Sequence, residues 1–191
     1  MNEMIVVNPG VFSVPEKEPF ELALKREPHV IGVQAGSSDS GPLYVGAGLS
    51  HYPRYVHKKT FELLLPAALD HQIPFIVTGA GGNGTRKQLN YTLDIVREVA
   101  REKHLRFRLA YIDAEIDRNY LTDKLTMGKV SKLGYPTELT AKDVERTNVV
   151  TAMMGVEPII KALEQDVDVI IAGRAVDDTT YAALPIKEGF D

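Results

Sequence analysis

A short glycine-rich segment is the first candidate for chemistry in this sequence. TGAGGNG runs from Thr78 to Gly84, directly after an apolar stretch, and a helical pattern follows it. Glycines let a backbone approach a ligand closely, and the N-terminus of a helix presents amides that favour an anion. We therefore predict a phosphate or carboxylate contact here, although the spacing matches neither the dinucleotide pattern nor the ATP pattern. The alternative is a tight turn that only lets strand and helix pack. The residues assigned to the contact are Gly79, Gly81, Gly82, Asn83 and Gly84.

A second segment, AGRAVDD, carries one cation and two carboxylates after another apolar stretch. The Arg174 guanidinium is placed where it can bind a carboxylate or phosphate through two N–H groups. We expect one aspartate to cap the next helix and the other to bind substrate or magnesium. Asp177 is the candidate catalytic group and Asp178 a candidate substrate contact. Adjacent side chains diverge, so this couple alone does not predict a metal site.

A third segment, AGSSDSGP, offers hydroxyls and a carboxylate on a turn. Asp39 is a candidate general acid or base, and Ser37 and Ser38 are candidate substrate contacts. The alternative is that Ser and Asp bond their own backbone, as they often do in turns. This segment has no neighbouring glycine-serine-glycine elbow, so we do not expect one of its serines to be a nucleophile. The stretch GPLYVGAGLS that follows is predicted to be a mobile or closely packed loop.

Two further carboxylates, Asp113 and Glu115, follow an apolar stretch and fall on one side of an extended backbone. The alternative for them is an acidic helix start. The five histidines are scattered without HxxxH or HExxH spacing, so we assign no metal ligand and specify no cofactor. The absence of cysteine excludes disulfides, thiolate zinc sites and cysteine nucleophiles.

These turns must be positioned by the elements around them. Each of the four segments follows a short apolar strand, and helical periodicity separates the strands. The pattern predicts a Rossmann-like α/β fold, with a largely parallel sheet and helices on both faces. Turns at the carboxyl ends of parallel strands collect on one edge, where ligands usually bind. The sequence therefore predicts one shared site.

Local signals refine the helices. Thr85 and Gln88 predict a reciprocal capping box at the helix after the glycine-rich turn. Pro66 is expected to kink or restart the helix that contains it. A second capping box at Thr140 predicts a helix that continues through Val149.

Composition narrows the class of protein. A chain of 191 residues with 44% hydrophobic residues can bury a substantial core, which indicates one domain over 1–191, or the N-terminal part of a longer architecture. The net charge of −4 gives no support to nucleic-acid binding. We find no leader and no membrane-spanning stretch, and expect a cytoplasmic protein.

The ordered set AGSSDSGP, TGAGGNG, MMGVEP and AGRAVDD resembles the N-terminal part of the acyclic terpene utilisation AtuA-like family, formerly a domain of unknown function. The resemblance extends from about His29 to the C-terminus. It implies a role in the catabolism of terpenes, amino acids or other organic acids, in some cases beside acyl-CoA enzymes. Family members are longer than this chain, which implies a shortened form that lacks part of the site or of a partner-binding portion.

Two function classes follow. In the first, the chain is a catabolic enzyme of the lyase, hydratase or hydrolase type that acts on a small anionic organic acid or its acyl-CoA ester. Asp39 and Asp177 would then act on protons and Arg174 would bind the anion. In the second, the chain is a noncatalytic ligand-binding or assembly subunit that needs a partner chain. Both classes are compatible with a homo-oligomer or a partner subunit.

Overall fold

The computed structural model describes residues 3–10, 14–36, 41–134 and 138–190. Within these ranges the strands are β1 (Val6–Val7), β2 (Val30–Gln34), β3 (Phe75–Thr78), β4 (Leu109–Ile112) and β5 (Val169–Ala172). The helices are α1 (Lys17–Leu24), α2 (Gly41–Ala47), α3 (Arg54–Asp70), α4 (Arg86–Glu102), α5 (Arg118–Thr126), α6 (Ala141–Arg146), α7 (Glu157–Leu163) and α8 (Thr179–Lys187). A short 3₁₀ turn, Ala80–Gly82, lies between β3 and α4.

The strands form one sheet in the order β1-β2-β3-β5-β4, and every pairing between them is parallel. The register places Gln34 opposite Thr78 at the ends of β2 and β3. Ile112 and Ala172 are paired in the same way at the ends of β4 and β5. The carboxyl ends of these four strands therefore form one edge, as predicted.

The sheet is covered on both faces, which explains why its central strands read as continuous apolar runs. Alternate residues such as Ile31 and Val77 pack into one core with α1, α3 and α4. The residues between them, such as Ile76 and Ile170, pack into a second core with α7 and α8. This arrangement confirms the predicted α/β class with helices on both faces.

The helices that follow β3 and β5, two neighbouring strands of the sheet, pack on opposite faces. The connection that leaves β3 passes through α4 on the first face, whereas the one that leaves β5 passes through α8 on the second. In open parallel sheets, ligands bind outside the carboxyl ends of strands at such a switch point. The fold therefore places the turn after β3 and the turn after β5 where a ligand site is expected.

Several local predictions need correction. Thr85 caps α4 by accepting a hydrogen bond from the Gln88 amide, as predicted. The reciprocal half of that box is absent, because the Thr85 amide donates to Asn83 Oδ1 at 3.0 Å and not to the Gln88 side chain. The Gln88 side chain instead donates through Nε2 to the Gly48 carbonyl at 2.7 Å. The helix α3 runs without a break through Pro66.

The Thr140 capping box is present and reciprocal, but α6 ends at Arg146 instead of continuing through Val149. The segment predicted as a loop after AGSSDSGP contains the helix α2. The sequence prediction also missed β1, because a strand of only two residues, Val6 and Val7, shows no periodicity.

Gly84 provides a test of how tightly the two central turns pack. Its φ is +69°, and a Cβ added there would lie 2.3 Å from the Arg174 backbone nitrogen. We expect Gly84→Ala to lower the free energy of unfolding by about 3 kcal/mol, because left-handed strain and a backbone clash act together. Urea denaturation of the purified variant measures this loss.

Gly128→Ala is the matched control. Gly128 has nearly the same φ, +66°, but an added Cβ would meet nothing within 4 Å. We expect it to cost about 1 kcal/mol, from backbone strain alone. Equal losses in the two variants would contradict the proposed close packing at Gly84.

Candidate functional site

The carboxyl edge of the sheet is held together by backbone hydrogen bonds that continue beyond the strands. The Ala35 amide donates to the Thr78 carbonyl at 2.7 Å, and the Gly79 amide donates to the Gly173 carbonyl at 2.8 Å. The Gly173 amide in turn donates to the Ile112 carbonyl at 2.8 Å. The starts of all four turns are thereby fixed in one row.

The glycine-rich turn is buried, and several of its amides donate hydrogen bonds within the chain. The Gly82 amide donates to the Gly79 carbonyl, and the Gly84 amide to the Ala80 carbonyl, both at 3.0 Å. The Thr85 amide donates to Asn83 Oδ1, also at 3.0 Å. A contact of these glycines with a ligand stays a prediction, while their packing role is visible directly.

A carboxylate of the chain itself occupies the N-terminus of α4. The Arg86 amide donates to Glu115 Oε2 at 3.0 Å, where the helix dipole favours negative charge. The Arg86 side chain bonds Asp113 through Nε and lies 3.7 Å from Glu115 through Nη1. The hydrogen bond that Arg86 donates to Asp113, followed by the charges of both carboxylates, raises the pKa of Arg86. The two carboxylates thus share one side, as predicted.

The AGRAVDD turn is braced from two directions. The Arg174 amide donates to the Gly84 carbonyl at 3.2 Å, and the Arg174 carbonyl accepts from the Met154 amide at 3.2 Å. The Met154 carbonyl accepts from the Val176 amide at 2.9 Å, so MMGVEP packs directly against AGRAVDD. The half-buried Arg174 guanidinium makes no hydrogen bond or ion pair with any residue that the structure describes.

The two aspartates of this turn differ in environment. Asp177 Oδ1 accepts a hydrogen bond of 2.9 Å from Gln34 Nε2 at the end of β2. Asp178 occupies the N-cap position of α8, but its side chain makes no capping hydrogen bond. The prediction that an aspartate side chain caps this helix is therefore wrong. The contact with Gln34 lies across the sheet edge and leaves no signal in the local sequence.

Polar side chains of the glycine-rich turn hold the loop that follows α2. Asn83 Nδ2 donates to the Tyr44 carbonyl at 2.9 Å and to the Leu49 carbonyl at 2.8 Å. Gln88 Nε2 adds its bond to the Gly48 carbonyl. Directly beneath this loop, a Cβ added at Gly82 would lie 3.0 Å from His51 Nδ1.

A serine and a histidine that the sequence prediction did not select meet beside this loop. Ser50 Oγ lies 2.8 Å from Nε2 of His57, whose side chain is fully buried. Burial lowers the pKa of His57 to about 4, and a hydrogen bond to the Tyr52 backbone opposes that shift only in part. The rings of Tyr52 and Tyr91 meet the imidazole edge to face. The local sequence carries no signal for this pair, because Ser50 lies in a loop and His57 in the helix α3, with no recognised catalytic spacing between them.

The chain matches the model of the acyclic terpene utilisation family protein AtuA over residues 48–188. The chain belongs to the AtuA family. The match includes the glycine-rich turn, MMGVEP and AGRAVDD, the three segments whose mutual packing is described above. Neither the curated proteins nor the solved structures gave a match to this chain.

For this AtuA-family chain, part of the predicted site is placed by the structure. Arg174, Asp177, Asp178 and the glycine-rich turn lie on the same edge of the sheet. Ser37, Ser38 and Asp39 lie outside the described residues.

In the described part of the chain, no helix has the length and apolar character needed to cross a membrane. Over the same residues, no group of three or more His, Asp or Glu side chains is arranged to hold a metal ion.

Asn83→Asp tests whether the Asn83 side chain stabilises the segment from Tyr44 to Leu49. The carboxylate cannot donate to the carbonyls of Tyr44 and Leu49, so both acceptors lose their partner. We expect a loss of about 3 kcal/mol in the free energy of unfolding, measured by urea denaturation. Asn90→Asp, at an exposed position of α4, makes the same chemical change and is the control. A similar loss in both variants would contradict the role assigned to Asn83.

The buried imidazole of His57 predicts a pH-dependent stability. Its folded pKa of about 4 lies below the ordinary value of 6.5. As the pH falls below 6.5, the unfolded chain gains a proton that the folded chain refuses until about pH 4. We expect this group to remove about 3 kcal/mol of stability across that window, and burial of His51 to act in the same direction.

Urea denaturation at about pH 7 and about pH 4.5 measures this effect. His57→Gln should lose much less stability between the two pH values than the wild type does. Ser50→Ala keeps the imidazole and should keep the wild-type pH dependence. An unchanged pH dependence in His57→Gln would show that other groups cause it.

Proposed function

We propose that this AtuA-family chain is a catabolic enzyme that binds an anionic organic acid, or its acyl-CoA ester, at the carboxyl edge of the sheet. The observation that carries the proposal is the Arg174 guanidinium, which makes no hydrogen bond or ion pair within the described residues. Several other arginines pair with carboxylates of the chain, among them Arg54, Arg86, Arg97 and Arg108. Arg174 therefore offers its charge and its planar set of donors to a ligand.

The surroundings of Arg174 support this role. Its backbone is bonded on one side to the turn after β3 and on the other to Met154, so the base of the side chain is fixed. It lies at the switch point of the sheet, where ligands of parallel α/β folds usually bind. Because the backbone at Arg174 is already fixed, binding of a carboxylate orders only its side chain, which limits the entropic cost.

Groups that move protons lie near the same edge. Asp177 is exposed and is oriented by Gln34, which suits a carboxylate that accepts a proton from substrate. Burial is the main cause that raises the pKa of Tyr181, and the charges of Asp177 and Asp178 add to it. The phenol therefore stays protonated and able to donate. Asp39 keeps the acid or base role proposed from the sequence.

The family connects the chain with acyclic terpene utilisation. Oxidised acyclic terpenes are branched carboxylic acids, and a carboxylate or its CoA thioester is the form that Arg174 suits. Carboxylates that transfer protons favour addition of water, elimination or hydrolysis over a redox step. We therefore propose a branched organic acid as the substrate class and lyase, hydratase or hydrolase chemistry as the reaction class.

A thermal-shift experiment tests this proposal with β,β-dimethylacrylate, its CoA thioester and free CoA as probes. A ligand at about 100 times its Kd stabilises a protein by about 2.7 kcal/mol. For a chain of this size we expect an increase in Tm of roughly 5 to 10 °C. Arg174→Ala should lose this increase, because the anion loses its bidentate partner.

Arg97→Ala is the control, since it removes the same charge from an exposed site on α4 where Arg97 pairs only weakly with Asp94. It should keep the full increase in Tm. An equal increase in the Arg174→Ala variant would show that the anion binds elsewhere. Stabilisation by free CoA but not by the free acid would assign Arg174 to the phosphates.

A further inference from the structure

We propose that Ser50 and His57 form a nucleophile and base pair that transfers an acyl group from an ester or thioester to water. The pair lies beside the glycine-rich turn, within the segment matched by the family model. The pair would carry out the hydrolase reaction named among the proposed reaction classes. The substrate class of this reaction rests on the proposed function.

The geometry of the pair is that of an activated hydroxyl. Ser50 Oγ lies 2.8 Å from His57 Nε2, within the range over which a base takes a proton from a nucleophile. Ser50 is half-buried, so its oxygen lies at the boundary between the interior and solvent. The imidazole beneath it is fully buried and is held between the rings of Tyr52 and Tyr91.

The protonation state of the imidazole suits this task. Burial keeps His57 neutral at neutral pH, so Nε2 can accept the Ser50 proton. The hydrogen bond between the ring and the Tyr52 backbone orients the imidazole, as a third group does in other nucleophile and base pairs. A buried base of this kind is weak, and we therefore expect slow turnover.

The structural alternative is a serine that only shapes its own turn. The Tyr52 amide does donate to Ser50 Oγ, but at 3.4 Å, which is long for a hydrogen bond. The contact with His57 is much shorter, at 2.8 Å, and brings the hydroxyl within reach of the ring nitrogen that would accept its proton. A turn serine also does not require a fully buried histidine beneath it. The contact with His57 is therefore the main hydrogen bond of the Ser50 hydroxyl.

The position of the pair relative to Arg174 supports a shared substrate. The glycine-rich turn touches His51 at Gly82, next to Ser50, and contacts the Arg174 backbone at Gly84, two positions further on. A substrate whose anionic group binds Arg174 can therefore place a nearby carbonyl carbon towards Ser50. The polar side chains of Asn83 and Gln88 fix the loop that carries the serine.

The proposed reaction is balanced with water as the second reactant. Ser50 Oγ attacks the carbonyl carbon while its proton passes to His57 Nε2. The bond from this carbon to the leaving sulfur or oxygen breaks, and the leaving group takes the proton from His57. Water then attacks the acyl-serine, gives one proton to His57, and releases the acid as Ser50 recovers that proton.

Labelling of the full chain with a neutral fluorophosphonate tests the pair, because such probes phosphonylate activated serines. We expect intact-mass spectrometry to show one adduct, and peptide mapping to place it on Ser50. Ser50→Ala should take no adduct, and His57→Gln should be labelled roughly 100-fold more slowly or less. Ser131→Ala, at an exposed position, removes a serine elsewhere and should be labelled like the wild type.

A second measurement needs no variant that could fail to fold. Incubation of the wild type with p-nitrophenyl acetate should release nitrophenol and leave an acetyl group on Ser50. A wild-type chain that takes neither adduct would overturn the proposal. So would labelling of a folded His57→Gln variant at the wild-type rate.

The outcome is independent of the organic-acid experiment. The fluorophosphonate carries no anionic group, so its reaction does not depend on binding at Arg174. Labelling of Ser50 without stabilisation by any organic acid would remove the proposed substrate class and keep the pair. Stabilisation by the acid through Arg174 without labelling would remove the pair and keep the proposed function.

Discussion

The close approach of two turns at the centre of the sheet is the constraint on which the candidate site depends. The turn after β3 and the turn after β5 meet backbone to backbone, with the Gly84 carbonyl accepting from the Arg174 amide. A Cβ added at Gly173 would lie 2.7 Å from that carbonyl oxygen, so side chains are excluded from the seam. Because main-chain atoms form this contact between the two turns, the Cα positions from which the neighbouring side chains extend are fixed.

Much of the fold could be predicted from the sequence because its signals are local. Strands buried on both faces must be apolar throughout, and the helices between them show an apolar stripe, as Leu89, Leu93 and Val96 do in α4. The parallel order follows from the alternation of strands with helices. The strand Val6–Val7 was missed because two residues cannot display a period.

The site was predicted less completely, because its decisive contacts join distant parts of the chain. The sequence indicated that Arg174 and Asp177 carry chemistry, but not that Gln34 orients Asp177. Gln88 has the right spacing for a capping box, yet Asn83 accepts from the Thr85 amide and the Gln88 side chain donates to the distant Gly48 carbonyl. His57 follows no metal-binding or catalytic pattern, and only its burial in the folded chain distinguishes it. Tertiary competition of this kind leaves no trace in a local pattern.

The contact between Gln34 and Asp177 joins residues that are 143 positions apart in the chain. The buried hydroxyls of Thr78 and Thr180, also in contact, are 102 positions apart. Contacts of such long range form late in folding, since the loop between their ends must close first. During synthesis on the ribosome, the first strands of the sheet emerge well before α8. The hydrogen bond that orients Asp177 can therefore form only after about 140 residues beyond Gln34 have been synthesised.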